Sequence, residues 1–376
     1  MIPFTDLKTQ YRALESALHG RIQRVLEHGQ FILGPEVAEL ETALAGYTGA
    51  RHCVTVANGT DALQIALLAL GVGPGDEVIT PAFSFVASAE AIVLAGAVPV
   101  FVDVEADTGN VDATKIGPAI GPRTRAILPV SLYGQPPDMQ AISALAQAHG
   151  LAVVEDGAQS FGACYRDMRS GNLSTIGCTS FYPSKPLGCY GDGGALFTND
   201  DALAEAARQL RDHGQSGRYL HTRIGLNSRM DSLQCAILLA KLERFPWELE
   251  RRAALGRRYG ELLDAAGVAR IRQRRDRSSV FAQYTILADD RARVCALLQE
   301  AGIPSAIHYP LPLNRQPAYA HYPQTDGCPV AAELSARVLS LPMSADLAEP
   351  DQSRIVERVA GAVRDVRNKP PHRSGA

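Results

Sequence analysis

The sequence lacks an excess of charge of either sign. Among its 376 residues, 37 lysine and arginine side chains face 40 aspartate and glutamate side chains, which gives a formal net charge of −3. A protein that binds nucleic acid or a membrane surface by charge needs a basic surface, and this balance does not support one. We therefore expect neither nucleic acid nor a membrane among its partners.

The sequence also lacks an organised set of cysteines. It has seven, an odd number, and they are scattered without a CxxC pair or a cysteine–histidine cluster. This pattern argues against a disulfide framework and against a zinc site, so we expect no metal. The seven positions are Cys53, Cys164, Cys178, Cys189, Cys235, Cys295 and Cys328.

Long hydrophobic runs are missing as well. The longest apolar stretch covers residues 91–102, contains Pro99 and is too short to span a bilayer. The start, residues 1–6, has neither the basic region nor the apolar run of a signal peptide. Together with the cysteine pattern, this predicts a reduced, cytoplasmic protein.

Short apolar runs of strand length alternate with helical patterns over the first two thirds of the chain. Continuous apolar strands alternating with helices predict a mostly parallel sheet covered on both faces, an α/β fold. In such sheets, ligands bind at the carboxyl ends of the strands. The predicted strands are 52–57, 77–80, 99–103, 126–131, 152–156, 178–182 and 194–199, with helices at 62–70, 88–94 and 139–149.

The pattern changes near Phe245-Pro246-Trp247, where a long helical segment rich in arginine leads into a smaller set of strands and helices. We predict a large domain with an N-terminal arm over residues 1–245 and a small C-terminal α/β domain over residues 246–367. Residues 368–376 include Pro370, Pro371 and Gly375, and we predict a disordered tail there.

Lys185 is the most informative residue. It lies in an apolar segment, Phe181-Tyr182-Pro183-Ser184-Lys185-Pro186-Leu187-Gly188, that is followed by Gly191-Asp192-Gly193-Gly194. A buried ammonium is costly unless it is paired or neutralised, and a neutral lysine is a nucleophile for carbonyl carbon. The alternative is an ordinary lysine in a flexible glycine-rich loop.

Asp156 ends the apolar run 151–155, which places a carboxylate at the end of a predicted strand. A carboxylate against a pyridine nitrogen keeps that nitrogen protonated, and the lysine then holds the aldehyde of the same cofactor. Lys185 and Asp156 together therefore indicate pyridoxal 5′-phosphate. The competing interpretation of Asp156 is a helix N-cap at a strand end.

A phosphate turn is predicted at Asn58-Gly59-Thr60, between a strand and a helix. Thr60 is the expected N-cap, and free N–H groups at a helix start suit a phosphate. Structural capping alone would explain the same pattern. The Ser180 hydroxyl is expected to complete this phosphate site, and Gln159 is placed to bond the ring hydroxyl of the cofactor.

Five further residues are candidates, and all but Tyr309 have a structural alternative. Phe83 or Phe85 stacks on a flat ring, or is a core residue. Arg229 binds a carboxylate in a bidentate manner, or is a surface arginine at a helix end. His308 and Tyr309 face the substrate, or His308 is a satisfied histidine near a strand end.

The chain resembles the DegT/DnrJ/EryC1/StrS group of pyridoxal-phosphate enzymes, the aminotransferases that act on nucleotide-linked keto sugars. The resemblance runs from the N-terminus to about residue 365. It implies the aspartate-aminotransferase fold (fold type I). The matching segments are 31–37, 57–63, 73–78, 154–163, 180–194, 227–231 and 307–312.

The resemblance implies a role for each matching residue. Lys185 carries the Schiff base, Asp156 meets the ring nitrogen, Gln159 meets the ring hydroxyl, and Phe85 rather than Phe83 stacks on the ring. The phosphate contacts are Gly59, Thr60 and Ser180. The resemblance also implies a homodimer with shared active sites, in which Asn227 reaches the phosphate of the neighbouring subunit's cofactor. Gly157 departs from the more usual alanine, and we expect it to loosen the strand end slightly.

The segment 181–194 is most similar to one subgroup. That subgroup uses L-glutamate to aminate C3 of UDP-2-acetamido-2-deoxy-3-keto-glucuronic acid for O-antigen synthesis, and both substrates then carry a carboxylate for Arg229. The first alternative is another nucleotide-linked keto sugar, such as a 4-keto-6-deoxyhexose. Related sugar dehydratases have histidine in place of the lysine, so the presence of Lys185 argues against that type of enzyme. A pyridoxal-phosphate-binding regulatory protein without turnover is the remaining alternative.

Overall fold

The computed structural model describes residues 2–368 of the chain. Eleven α-helices form in that range: α1 (Leu7–His28), α2 (Pro35–Thr48), α3 (Gly59–Ala69), α4 (Ala87–Leu94), α5 (Ala113–Ile116), α6 (Met139–His149), α7 (Asp201–Arg211), α8 (Ser232–Ala265), α9 (Arg291–Glu300), α10 (Pro329–Arg337) and α11 (Glu349–Asn368). The strands of the same range are β1 (His52–Val56), β2 (Glu77–Pro81), β3 (Val98–Val102), β4 (Thr124–Ile127), β5 (Ala152–Asp156), β6 (Cys164–Tyr165), β7 (Met168–Arg169), β8 (Ile176–Ser180), β9 (Gly194–Thr198), β10 (Gln215–Gly217), β11 (Leu220–His221), β12 (Tyr284–Leu287) and β13 (Val338–Leu341).

A seven-stranded sheet organises the first two thirds of the chain, in the order β1-β9-β8-β5-β4-β2-β3. β9 runs antiparallel to both of its neighbours, and the other pairs are parallel. The sequence predicted all seven of these strands, and the α/β fold with a mostly parallel sheet is confirmed.

Both faces of this sheet are covered because its strands are apolar on both sides. Val78 and Val154 pack in the cluster that contains α3 and α4. Their chain neighbours Ile79 and Val153 point the other way and pack against α6. Alternation of this kind in fully buried strands leaves only the strand ends free for a ligand.

The C-terminal part of the chain has its own apolar cluster. The antiparallel pair β12–β13 packs there with α9, α11 and the second half of α8. Ile2 joins this cluster, and the Met343 N–H donates to the Phe4 carbonyl at 3.1 Å, so the N-terminal arm lies against the C-terminal part.

The predicted domain boundary between residues 245 and 246 falls inside α8, which continues through Pro246. The division into two domains stays a prediction. Of the predicted tail, Asn368 is the last residue of α11, and residues 369–376 lie outside the described range. None of the helices described has the length and apolarity needed to cross a membrane.

Candidate active site

Two strand ends and one loop carry the main candidates. Asp156 ends β5 and Ser180 ends β8, and these two strands are parallel neighbours in which Asp156 pairs with Cys178. Lys185 lies in the loop between β8 and β9. Because Ser180 pairs with Gly194, both ends of this loop are fixed on the sheet at the same place.

The Asp156 carboxylate is buried, with 6% of the residue exposed. Its Oδ2 accepts a hydrogen bond from Ser88 Oγ at 2.8 Å, and its Oδ1 accepts one from the Ala158 N–H at 3.2 Å. Burial raises the pKa of Asp156, while Ser88, Ala158 and the nearby Lys185 charge act in the opposite direction. The charge of this carboxylate therefore depends on its contacts with Ser88, Ala158 and Lys185.

Lys185 is half-buried, and its surroundings disfavour its charge. Burial lowers the pKa of its amine, and the Asp156 carboxylate offsets part of that effect. A lysine with a lowered pKa supplies neutral amine more readily at ordinary pH. Lys185 and Asp156 thus lie close enough to influence each other's protonation.

The predicted phosphate turn is the start of α3. Its N-cap is Asn58, which has an extended backbone and accepts from the Asp61 N–H through its side chain at 2.8 Å. The prediction that Thr60 is the N-cap is wrong, because Thr60 already lies in the first helical turn. The N–H groups of Gly59 and Thr60 have no partner within the helix, as in any first turn.

The start of α3 packs tightly on the ends of β8 and β9. A β-carbon on Gly59 would lie 2.6 Å from Ser180 Cβ, and one on Gly194 would lie 2.4 Å from the Asn58 carbonyl oxygen. Because both positions are glycine, the first turn of α3 can lie next to the end of β8. The N–H groups of that turn and the Ser180 hydroxyl then converge. Such a cradle fits a phosphate group.

Gln159 is buried and held at both ends of its amide. Its Oε1 accepts from the Tyr133 N–H at 2.7 Å, and its Nε2 donates to the Tyr309 hydroxyl at 3.2 Å. Tyr133 has a positive φ of 57°, and its hydroxyl donates to the His308 carbonyl oxygen. This network joins the end of β5 to the segment 308–309.

The two phenylalanines differ in exposure. Phe83 is fully buried and meets Tyr133 and Tyr309 edge to face. Phe85 is 51% exposed, and its ring centroid lies 5.9 Å from that of Tyr309. Only the Phe85 ring therefore has a face available to a ligand.

His308 and Tyr309 lie beside this group. His308 Nδ1 is 2.9 Å from Ser340 Oγ, and both burial and the Lys185 charge lower the pKa of His308. Burial raises the pKa of Tyr309, and the Asp156 charge adds to that effect. Both residues are therefore neutral groups near Lys185 and Asp156.

Asn227 and Arg229 line a surface cleft together with Ala57 and Gly191, and Lys185 is not among the residues that line it. Asn227 is exposed, and its Oδ1 accepts from Arg229 Nη2 at 2.6 Å. The other terminal nitrogen of Arg229 pairs with Asp212. The two residues form a separate surface group next to the start of α8.

Gly157, the departure from the usual alanine, lies in close packing. A β-carbon there would be 2.9 Å from Ser170 Oγ and 3.0 Å from the Cys178 carbonyl oxygen. Glycine at this position leaves room for the Ser170 hydroxyl, which donates to Glu155 Oε1 at 2.5 Å.

Sequence reasoning missed Ser88 and Tyr133. Tyr133 follows a predicted strand, so its position at a carboxyl strand end was a usable signal. Ser88 is a serine in the first turn of a helix and carries no such signal. Its partner Asp156 is separated from it by 68 positions.

The residues present fit pyridoxal phosphate. A carboxylate, an amine of lowered pKa, an exposed aromatic face and a helix start with room for a phosphate lie at one edge of the sheet. These are the groups that hold and tune this cofactor.

Comparison with known proteins agrees with this geometry. Residues 13–360 match the model of the DegT/DnrJ/EryC1/StrS aminotransferase family. The chain is similar to a UDP-2-acetamido-2-deoxy-3-oxo-D-glucuronate aminotransferase of Pseudomonas aeruginosa, with 55% identity over 343 residues that span 91% of this chain and 95% of the relative.

Two other similarities bear on the site. A pleiotropic regulatory protein of Geobacillus stearothermophilus is 44% identical over 96% of this chain and 98% of its own length. The crystal structure of NtdA from Bacillus subtilis with bound cofactor PMP (pyridoxamine phosphate) superposes with a TM-score of 0.86 at 31% identity, covering 94% of this chain and 82% of that one.

The fold and these matches define a pyridoxal-phosphate-dependent aminotransferase. The chain belongs to the DegT/DnrJ/EryC1/StrS aminotransferase family, as its sequence indicated.

Proposed function

We propose that this protein transfers an amino group from L-glutamate to the C3 keto group of UDP-2-acetamido-2-deoxy-3-keto-glucuronic acid, in the synthesis of surface polysaccharide such as O-antigen. The observation that carries the choice of substrate is the 55% identity to the Pseudomonas aeruginosa aminotransferase over nearly the whole of both chains. The seven free cysteines support a reducing, cytoplasmic setting.

Asp156 holds the cofactor's ring nitrogen in this proposal. When bound, pyridoxal phosphate supplies a ring that accepts the electrons of a breaking Cα–H bond, provided that its nitrogen is protonated. The Asp156 carboxylate lies in a buried position where an opposite charge is favoured, since burial otherwise raises the pKa of this carboxyl.

Lys185 would hold the cofactor at its aldehyde carbon, and its amine, once released, would be the base that moves a proton at the substrate carbon. Its lowered pKa supports both tasks, because a neutral amine is the nucleophile and also the base. Its loop is fixed to the sheet at both ends, so the amine stays near the reacting atoms in each half-reaction.

Gly59, Thr60 and Ser180 bind the phosphate, and Phe85 and Gln159 orient the ring. The close approach of Gly59 to Ser180 supports the first assignment. Phe85 has an exposed ring face and Phe83 does not, which supports the second. Gln159 is held by Tyr133 and Tyr309, so its amide has a fixed direction.

A homodimer with shared sites is part of the proposal. Asn227 is exposed and lines a surface cleft together with Ile32 and Gly191. Phe31, Ile32 and Leu33 are apolar and exposed beside it, at 47%, 49% and 41%. An exposed apolar group next to a polar side chain suits a contact in which Asn227 reaches the cofactor phosphate of the partner subunit.

His308 and Tyr309 are proposed to face the sugar, since both lie beside Lys185 and Asp156. The contacts of Arg229 favour a role other than binding a substrate carboxylate. Its charge is already paired with Asp212, and its second terminal nitrogen holds Asn227. We propose that Arg229 chiefly orients Asn227, and the role in binding a substrate carboxylate remains the alternative.

The experiment is an absorbance spectrum of the purified protein with pyridoxal phosphate, before and after L-glutamate is added. We expect the band of lysine-bound cofactor, its conversion to the pyridoxamine form by glutamate, and its return when the UDP-linked 3-keto uronate is added. Lys185→Ala should show no lysine-bound band. Lys115→Ala, which changes a half-exposed lysine paired with Asp326, is the matched control.

The other candidate functions predict different spectra. Faster return of the band with a nucleotide-linked 4-keto-6-deoxyhexose than with the uronate would reassign the sugar. A regulatory protein without turnover, the alternative favoured by the similarity to the Geobacillus protein, would bind the cofactor but show no conversion with any amino donor.

A further inference from the structure

Ser88 is a buried hydroxyl in direct contact with Asp156. It lies in the first turn of α4, is 0% exposed, and its Oγ is 2.8 Å from Asp156 Oδ2. Ser84 is 2% exposed, and its Oγ is 3.0 Å from Ser88 Oγ. The two serines and the carboxylate form a continuous chain of hydrogen bonds.

The direction of the protons in this chain follows from the chemistry of its members. An ionised carboxylate can only accept hydrogen bonds, so the single hydroxyl proton of Ser88 points to Asp156. Ser84 must then donate to Ser88. Each hydroxyl polarises the next, and in a buried setting such bonds strengthen one another.

The hydrogen bond from Ser88 is the shorter of the two that the Asp156 carboxylate accepts. The Ala158 N–H donates to the other oxygen at 3.2 Å, and the nearby charge of Lys185 is not constant because that amine changes its bonding during the reaction. The Ser88 hydroxyl is attached to α4 and keeps its position. Together with the Ala158 N–H, it is therefore a fixed donor that opposes the effect of burial on this carboxylate.

Ser88 is close in sequence to Phe85, the residue proposed to contact the cofactor ring. Ser84 and Phe85 lie in the turn between β2 and α4, and Ser88 follows in the first turn of α4. This segment presents the exposed Phe85 ring and, a few residues later, the donor to Asp156. One segment thus contacts the ring face and the carboxylate at the ring edge.

We propose that Ser88, supported by Ser84, is a positioning residue that holds Asp156 as a carboxylate and thereby keeps the proton on the cofactor's ring nitrogen. The inference rests on the proposed assignment of Asp156 to that nitrogen. Loss of the donor makes Asp156 more basic, so the shared proton moves from the ring nitrogen toward the carboxyl oxygen.

The test is ¹⁵N NMR of the enzyme loaded with pyridoxal phosphate that is ¹⁵N-labelled in the ring. In the wild type we expect the shift of a protonated ring nitrogen. In Ser88→Ala the shift should move toward that of a neutral pyridine, with the ratio of the two proton positions changed about tenfold, the effect of one hydrogen bond to a charged group. Ser84→Ala should move it in the same direction by less.

Two further variants make the outcome decisive. Ser88→Thr keeps a hydroxyl and should restore the wild-type shift; if it moves the signal as far as Ser88→Ala does, packing is responsible and the proposal is overturned. Asp156→Asn should give the neutral shift. If Asp156→Asn changes the signal and the two alanine variants do not, this inference fails alone, and if Asp156→Asn also leaves it unchanged, the assignment of Asp156 fails with it.

Discussion

Gly59 and Ser180 lie so close together that the β-carbon of any other residue at position 59 would be 2.6 Å from Ser180 Cβ. Real contacts between such carbons are much longer, so Gly59→Ala must push the start of α3 away from the end of β8. The N–H groups of the first helical turn and the Ser180 hydroxyl would then no longer converge.

We expect Gly59→Ala to weaken binding of pyridoxal phosphate by about tenfold, since overpacking of this kind costs about 1 to 3 kcal/mol. Equilibrium dialysis of the cofactor measures the change. Gly20→Ala is the matched control, because a β-carbon on Gly20 in α1 meets nothing within 4 Å. Unchanged affinity in Gly59→Ala would remove Gly59 and Thr60 from the phosphate site.

Glu155 gives a prediction about pH and stability. It is fully buried, accepts from Ser170 Oγ at 2.5 Å and from the Gly171 N–H at 3.0 Å, and burial raises its pKa from 4.5 to about 7. A carboxyl with a raised pKa in the folded state stabilises the fold while it is protonated. That contribution is complete below pH 4.5 and is lost as the pH rises to about 7.

Glu155→Gln cannot ionise and should not show this loss. Between pH 4.5 and 7, we expect the free energy of unfolding of the wild type to fall relative to that of Glu155→Gln by about 3 kcal/mol. Urea unfolding of both proteins at a series of pH values measures the difference. A difference that stays constant across this range would show that Glu155 does not titrate there.

Asp103 lies just beyond β3 and caps a helix from another part of the chain. It is buried and accepts from the Val330 N–H at 2.9 Å and the Ala331 N–H at 2.8 Å, at the start of α10. The N-cap of α10 itself, Cys328, supplies no side-chain hydrogen bond. Asp103 therefore joins the sheet to the C-terminal part.

We expect Asp103→Ala to lower the free energy of unfolding by about 3 kcal/mol, because two N–H groups, one of them buried, lose the carboxylate that accepts from them. Asp112→Ala provides the comparison, since Asp112 caps the short helix α5 through an exposed hydrogen bond from the Thr114 N–H at 2.9 Å. Its loss should be about 1 kcal/mol or less. Similar losses in the two variants would mean that the bond from Asp103 to α10 contributes little.

Arg229→Ala separates the two roles considered for this residue. Because its charge is already paired with Asp212 and its side chain holds Asn227, we expect equal loss of activity on the UDP-linked uronate and on a neutral nucleotide-linked keto sugar. Single-turnover rates of the pyridoxamine form with each of the two sugars measure this, because the glutamate half-reaction that both share does not enter. A loss confined to the uronate would instead assign Arg229 to the substrate carboxylate.

The sheet could be predicted from the sequence because its strands are short, apolar and buried on both faces. β5 and α6 were predicted with their observed ends. The ends of β8 were misplaced by two residues, since β8 ends at Ser180, which pairs with Gly194, the first residue of β9. That pairing depends on residues distant in sequence, so the residues of β8 alone do not show where the strand ends.

The candidate site was predictable in part for the same reason. Asp156, Gln159, Lys185 and Ser180 occur beside strands, and strand ends meet at one edge of a parallel sheet. Thr60 was mistaken for the N-cap because threonine and asparagine both cap helices, and only the backbone shows that Asn58 does so. Ser88 was missed because its role is set by a contact between two distant segments.

The continuity of α8 through Pro246 decides how this chain can be divided in the laboratory. A shortened gene that stops at codon 245 would cut a single helix in its middle. The fragment that begins at residue 246 would keep Leu255, Tyr259 and Leu263, which face the C-terminal cluster, but would lose the first half of their helix. Separate expression of the two parts therefore needs a cut elsewhere, outside residues 232–265.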